Sequence, residues 1–333
     1  MSDNSKPNPA DTDETPEEAR LPFHLSRSMM IRIAVSIALI TVSYVTNRSF
    51  LGWGLFVVFA IMIVPAGRAR SFAFSFVPYA AVWFAFTAAR SLADETIIAR
   101  TLNTTVPRLE RWIFGGQLPT VMLQDRFFDP NHLRWYDYFF TGVHWSYFII
   151  PHAVAIRVWY KNPALFRHYL SAMTMLLAVG LSIYFLIPSN PPWLAPEPIN
   201  SPSAAVIYRV METIGKELGG GLYNASYKVV GESNAIAAMP SIHFAITFLL
   251  VFPAFHASKR WGILALLYAA SMGFALIYLG EHYFVDILVG GLVTSYGWFA
   301  TGLWSRKVAP AMSFRKASPT HEKRPEVEPV PVQ

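Results

Sequence analysis

Between residues 29 and 304 the chain is a succession of apolar runs separated by short polar connections, at about 29–46, 51–67, 72–89, 138–158, 168–187, 240–257, 261–280 and 283–304. A hydrocarbon core about 30 Å thick is crossed by roughly 20 helical residues. Its lack of water confines the backbone there to helices or closed barrels. Runs of this length predict an all-α polytopic membrane protein with about eight transmembrane helices. Apolar residues make up 53% of the chain and charged residues 14%, which suits lipid as the solvent for most of its surface. Only Asn47-Arg48-Ser49-Phe50 joins the first two runs, so these are expected to form a tight hairpin.

Lys and Arg collect in short cytoplasmic loops, and this gives an independent reading of orientation. With the N-terminus inside, the inner side receives Arg20 and Arg27, Arg68 and Arg70, Lys161 and Arg167, and Lys259 and Arg260, and the short outer loops receive Arg48. Both termini are then cytoplasmic in a multi-pass protein of the cell membrane. Two longer connections, 90–137 and 188–239, fall outside. The first carries Arg111-Trp112-Ile113-Phe114, a pattern suited to helices lying in the interface. The second joins a stiff Pro188–Trp193 turn to Gly219-Gly220-Gly221.

Residues 1–26 are rich in Asp, Glu, Pro, Ser and Asn and predict a disordered cytoplasmic tail. Residues 27–70 form the N-terminal hairpin and residues 71–305 a catalytic membrane domain. The tail 306–333 is basic, and its cations read as a stop signal beside anionic lipid, with no nucleic-acid partner. The chain has no cysteine, so disulfides, a thiol nucleophile and cysteine-ligated metals are excluded.

Chemistry concentrates in two places, both on the predicted outer face. In Gly280-Glu281-His282-Tyr283-Phe284-Val285-Asp286 a histidine and a carboxylate stand four residues apart where the last run begins. That spacing puts both on one helical face, where the acid can fix the imidazole tautomer. In Met239-Pro240-Ser241-Ile242-His243 a second histidine heads the sixth run. Ionisable groups at such depth are costly and point to function. The set suits phosphoryl transfer: His282, held by Asp286, attacks phosphorus, and His243 protonates the leaving oxygen and then deprotonates the incoming hydroxyl. Ser241 and the amides beside it would donate to the phosphate. Alternatives are histidines that merely satisfy helix ends, or a metal site, although His243, His282 and Asp286 are the only ligands that obviously converge.

Pro240-Ser241-Ile242-His243 and Tyr278 to Asp286, one span apart, resemble the type 2 phosphatidic acid phosphatase superfamily. Asp137 with His144, the Pro188–Trp193 turn and His-Tyr-Phe-Val-Asp resemble, more narrowly, its inositol phosphorylceramide synthase branch, aureobasidin-sensitive enzymes and their bacterial relatives. The likeness covers roughly residues 135–304. It implies a six-helix core, here the third to eighth spans, with two extra N-terminal spans. It implies His282 as nucleophile, Asp286 as its orienting partner, His243 as acid and base, a lipid phosphate or phosphodiester as substrate, an alcohol or water as acceptor, no metal or cofactor, and a site facing away from the cytoplasm.

Simple phosphatases of the superfamily carry a Lys-x6-Arg-Pro string and an Arg six residues before the second histidine. Here no such string occurs, and position 276 is Leu. Developing phosphoryl charge must then be met by other cations. Arg90, Arg100, Arg108, Arg111, Arg126, Arg134 and Lys228 lie on the predicted outer side, and the choice among them stays open. His144 and Asp137 read equally as headgroup ligands or packing contacts, His152 as a packing residue, and Glu281 as a polyol ligand or a solvated cap. Transfer to an alcohol is favoured over hydrolysis. A carrier without turnover would need polar residues through the depth of the bundle, whereas these cluster at one face.

Overall fold

The computed structural model describes residues 27–46, 66–93, 104–194, 206–219 and 237–313. The second predicted run, 51–67, falls almost wholly outside these, as do Arg100 and Lys228. Apart from an isolated bridge between Ser189 and Ala237, regular structure among the described residues is helical. The helices are α1 (Arg27–Thr46), α2 (Ala69–Ala93), α3 (Thr105–Ile113), α4 (Pro119–Phe127), α5 (Trp135–Ser146), α6 (Ile150–Lys161), α7 (Pro163–Leu186), α8 (Val210–Glu217), α9 (Ile242–Leu249), α10 (Val251–Ala257), α11 (Lys259–Tyr278) and α12 (Phe284–Ser313). The chain is an all-α polytopic membrane protein.

Among the described residues, four helices are long and apolar enough to cross a membrane: Ala69–Arg90, Pro163–Leu186, Lys259–Tyr278 and Phe284–Trp304. Eight spans are expected, and three of those runs that the structure describes have another form. The fourth predicted span is the pair α5 and α6, bent by 46° at a short break. Pro151 lies in the first turn of α6, where its missing N–H is tolerated but cannot continue the ladder from α5. The sixth is the shorter apolar stretch Ile242–Ala257, about 24 Å at 1.5 Å per residue, with Pro253 inside α10. Of the first, Met29–Ala38 is the apolar part.

The core forms around α7 and α12, which pack along much of their length, with α9 inserted against both and against α11. Small residues allow these approaches, since lipid supplies no hydrophobic drive and packing must. A Cβ on Gly297 of α12 would stand 2.9 Å from the carbonyl oxygen of Ala172 on α7, and one on Gly290 would stand 2.7 Å from that of Ser241. Aromatic residues fill the other side: Phe72, Phe76 and Tyr79 of α2 pack on Trp159 and Phe166. His152 accepts or donates a 2.8 Å hydrogen bond with the Tyr79 hydroxyl, so it serves packing between α2 and α6. Successive long elements alternate in direction, which brings the ends of α2, α7 and α11 and the starts of α5, α9 and α12 to one end of the bundle. Lys161, Lys259 and Arg260 lie at turns of the opposite end.

Candidate functional site

Residues 280–286 turn the chain from α11 into α12. Gly280 makes the turn with φ of 82°, a conformation that costs glycine nothing. A Cβ there would stand 2.8 Å from the Tyr208 carbonyl oxygen. Trp193 N–H donates to the Gly280 carbonyl at 3.2 Å and Val210 N–H to that of Leu279 at 3.3 Å. The turn is thereby gripped by both parts of the second long connection.

His282 sits 5% exposed and Asp286 is fully buried. His282 Nδ1 lies 3.4 Å from Asp286 Oδ2, and Oδ2 also accepts the Tyr283 N–H at 2.9 Å. The opposite ring nitrogen, Nε2, faces His243 Nδ1 at 3.4 Å. The imidazole pair is at the long end of the hydrogen-bonding range, and the contact with the carboxylate is an equally long ion pair. His243 is carried on the first turn of α9, whose N-cap is Ser241: its Oγ accepts the Phe244 N–H at 3.3 Å. The Ser241 N–H donates to the Asp286 carbonyl at 3.1 Å. Ser241 is fully buried and occupied in joining the two histidine-bearing helix starts, where the sequence reading had it facing phosphate.

His144 is also brought to the site, its buried ring 4.9 Å from that of His243, with Tyr147 at 4.6 Å on the same imidazole. Asp137 is placed differently. It accepts the Arg134 N–H at 2.7 Å in a capping box at the start of α5 and receives the Tyr278 hydroxyl. It thus ties α5 to α11 and is not among the residues lining the pocket.

That pocket, open at one side, is lined by Arg90, Tyr184, Pro191, Arg209, Ala237, Ala238, His243, Glu281 and His282. Of the cations considered from sequence, Arg90 lines it. Arg209 was not among them. Its Nε donates to Glu281 Oε1 at 2.7 Å and its Nη2 to Oε2 at 3.2 Å, and the guanidinium lies 4.4 Å over the Trp193 ring. This two-pronged geometry is the one that fixes an arginine plane. Gln124, buried on α4, completes the support: its amide donates at 2.9 Å to the Tyr208 and Tyr278 carbonyls, and its Oε1 accepts the Tyr208 N–H at 2.9 Å. Glu281 thus holds a cation, and neither sequence reading of it included that partner.

A second buried carboxyl was not considered from sequence. Glu110 of α3 is fully buried, and its Oε2 accepts the Val285 N–H at 3.0 Å. Burial pushes it up to about 7, against hydrogen bonds from the Val285 and Phe284 amides that pull it down, with Asp286 nearby adding to the rise. Among the described residues no group of three or more His, Asp and Glu side chains is arranged to hold a metal ion.

With two imidazoles, a carboxylate and two arginines around one opening, the site can bind an anion, attack it and move a proton. Phosphoinositol dihydroceramide synthase of Bacteroides thetaiotaomicron is 28% identical over 181 residues, 48% of this chain and 57% of that protein. Inositol phosphorylceramide synthase of Candida albicans is 26% identical over 199 residues, 57% of this chain and 40% of that protein. The chain therefore spans 57% and 40% of the lengths of these two relatives. No solved structure matches. The profile of the PAP2 superfamily matches residues 106–300, more than half of the chain and both histidine motifs, so the chain belongs to the PAP2 superfamily.

Proposed function

We propose that this protein is a lipid phosphotransferase that moves an inositol phosphate-like group from a lipid phosphodiester to an alcohol through a phosphohistidine. The observation that carries this reading is the line Asp286, His282, His243 ending in a pocket that also contains Arg90 and Arg209. His282 Nε2 forms a bond to phosphorus while the phosphorus–oxygen bond to the leaving alcohol breaks, and His243 gives that oxygen a proton. His243 then takes the proton of the acceptor hydroxyl, whose oxygen displaces His282 from phosphorus. Asp286 holds His282 Nδ1 so that Nε2 carries the lone pair. Arg209 and Arg90 meet the charge on the non-bridging oxygens, in place of the cations absent from the motifs. His144 backs the His243 ring, and Glu281 acts through Arg209.

Transfer is preferred to hydrolysis because both curated relatives are synthases by name. The end of the bundle that holds the pocket is opposite the Lys161 and Lys259–Arg260 turns, and the positive-inside tendency supports the reading that both termini are cytoplasmic and the pocket faces outside. The deciding experiment incubates purified protein with phosphatidylinositol labelled in its headgroup, with and without a ceramide. A labelled inositol phosphate ester of the ceramide is expected. Release of soluble label at a rate indifferent to added ceramide would establish the hydrolytic alternative instead.

Arg209→Ala is expected to lower kcat/KM in that assay by about 10²–10³-fold, the usual cost of one oxyanion donor. Arg209→Lys should recover little of it, since an ammonium cannot reproduce the paired contact with Glu281. Wild-type kcat/KM in Arg209→Ala would remove Arg209 from the phosphoryl site.

A further inference from the structure

Helix α12 begins without a local side chain to cap it. Serine, threonine, aspartate or asparagine ordinarily stands just ahead of a helix and accepts an amide of the first turn, but Tyr283 precedes Phe284 here. Asp286 accepts the Tyr283 N–H from within the first turn. The Val285 N–H is met instead by Glu110 Oε2, 175 positions earlier in sequence. Its other oxygen, Oε1, is buried without a hydrogen-bond partner among the described residues. A carboxyl with no solvent exposure is an expensive way to close a helix, and a helix end near a membrane surface has water at hand. The cost points to position rather than stability. Val285 adjoins Asp286, and His282 lies three residues before Val285, so the amide that Glu110 holds is embedded in the catalytic turn.

We propose that Glu110 is a positioning residue for the proposed phosphotransfer: by holding the Val285 amide it fixes the first turn of α12, and with it the register of Asp286 on His282 Nδ1. The groups facing its carboxyl are the Val285 and Phe284 amides, Asp286 and Tyr283, all at the start of α12 or just before it. Only an acceptor at this place is required, because the contact is to a backbone N–H. The amide oxygen of glutamine supplies one. The shorter aspartate withdraws it by one methylene, and leucine removes it. The side of α3 away from Glu110 presents Leu109 and Trp112, which are exposed on a helix suited to the bilayer interface. The same nine-residue helix therefore has one apolar exposed side and another against the turn from α11 into α12.

The proposal rests on the phosphohistidine reading, and the test separates the two. Full-length Glu110→Gln, Glu110→Asp and Glu110→Leu proteins are compared with wild type and His282→Ala, using headgroup-labelled phosphatidylinositol and ceramide. Glu110→Leu and Glu110→Asp are expected to lose about 10²-fold in kcat, the cost of a misplacement near 1 Å, with KM for the lipid within about threefold of wild type. Glu110→Gln is expected to retain kcat within about tenfold. Wild-type kcat in either Glu110→Leu or Glu110→Asp, or a loss in Glu110→Gln equal to that in Glu110→Asp, overturns the proposal. If Glu110→Leu does not fold, the aspartate and glutamine variants decide. Turnover surviving in His282→Ala would instead overturn the mechanism, whatever the Glu110 variants do.

Discussion

Replacing His282 by alanine is expected to reduce phosphotransfer by at least about 10⁴-fold, the scale on which loss of a nucleophile is felt in enzymes with a covalent intermediate. It should also abolish any acid-labile phosphoenzyme. The fold should survive, because the His282 side chain is a partner to His243 and Asp286 and its ring is not among the large buried side chains that fill the core. Its backbone N–H, which donates to the Leu276 carbonyl at 3.1 Å, is unchanged by the substitution. The check is rapid acid quenching of protein incubated with headgroup-labelled phosphatidylinositol, followed by counting of protein-bound label. His243→Ala should behave differently. Deprived of the proton donor but not of the nucleophile, it should turn over slowly and gain label from a labelled inositol phosphate aryl ester, whose aryloxide leaves without a proton. Equal labelling of wild type and His282→Ala would move the nucleophile elsewhere.

The second large effect comes from a residue with no chemistry of its own. Gly290→Val is expected to lower kcat by about 10²-fold or more while costing about 1–3 kcal/mol of stability, the usual range for an overpacked core position. A Cβ at position 290 would meet the Ser241 carbonyl oxygen at 2.7 Å and the Ser241 carbonyl carbon at 3.6 Å. That oxygen cannot swing aside, because it already accepts the Ala245 N–H at 2.9 Å. The start of α9 must therefore move as a body, and His243 moves with it, widening the 3.4 Å approach to His282. Thermal unfolding in detergent and steady-state kinetics on the same preparation check both parts. A folded variant with wild-type kcat would show that the imidazole approach tolerates displacement.

The sequence announces the parts of this site whose partners are near or whose pattern is periodic. The four-residue interval from His282 to Asp286 is expected to be one helical face; His282 instead stands on the turn ahead of α12, with Asp286 in the helix's first turn, and the interval still brings Nδ1 to 3.4 Å from Oδ2. The apolar runs that the structure describes become the helices of the core. The breaks within two of those runs had a local signal as well, Pro151 and Pro253, whose missing N–H groups end a helical ladder. Arg209, Gln124 and Glu110 had none. Their partners stand 72, 84 to 154 and 175 positions away, and two of the three engage backbone atoms, which every residue possesses. A guanidinium in a connection rich in Pro and Gly reads as solvated. A lone glutamate four places after Val106 reads as the polar side of an amphipathic helix. Only the tertiary arrangement turns them inward. The same holds for Asp137: its closeness to His144 along the chain suggested one site, yet Tyr278 and the Arg134 amide draw it to the α5–α11 seam.

Gln124 and Glu110 also impose an order on biosynthesis. Both lie in the connection after α2 and emerge from the ribosome early. The Tyr278 carbonyl that Gln124 holds comes 154 residues later, and the Val285 amide that Glu110 holds comes 175 residues later. At roughly 5–20 residues per second of synthesis, that interval is on the order of ten seconds or more. During it the connection has no catalytic turn to close over, and its carboxyl and amide remain in water or at the interface. The pocket, whose lining runs from Arg90 to His282, closes only once the turn at residues 280–286 has been made. A chain cut short before residue 280 would not carry a weakened site; it would lack His282, Asp286 and the Val285 amide together.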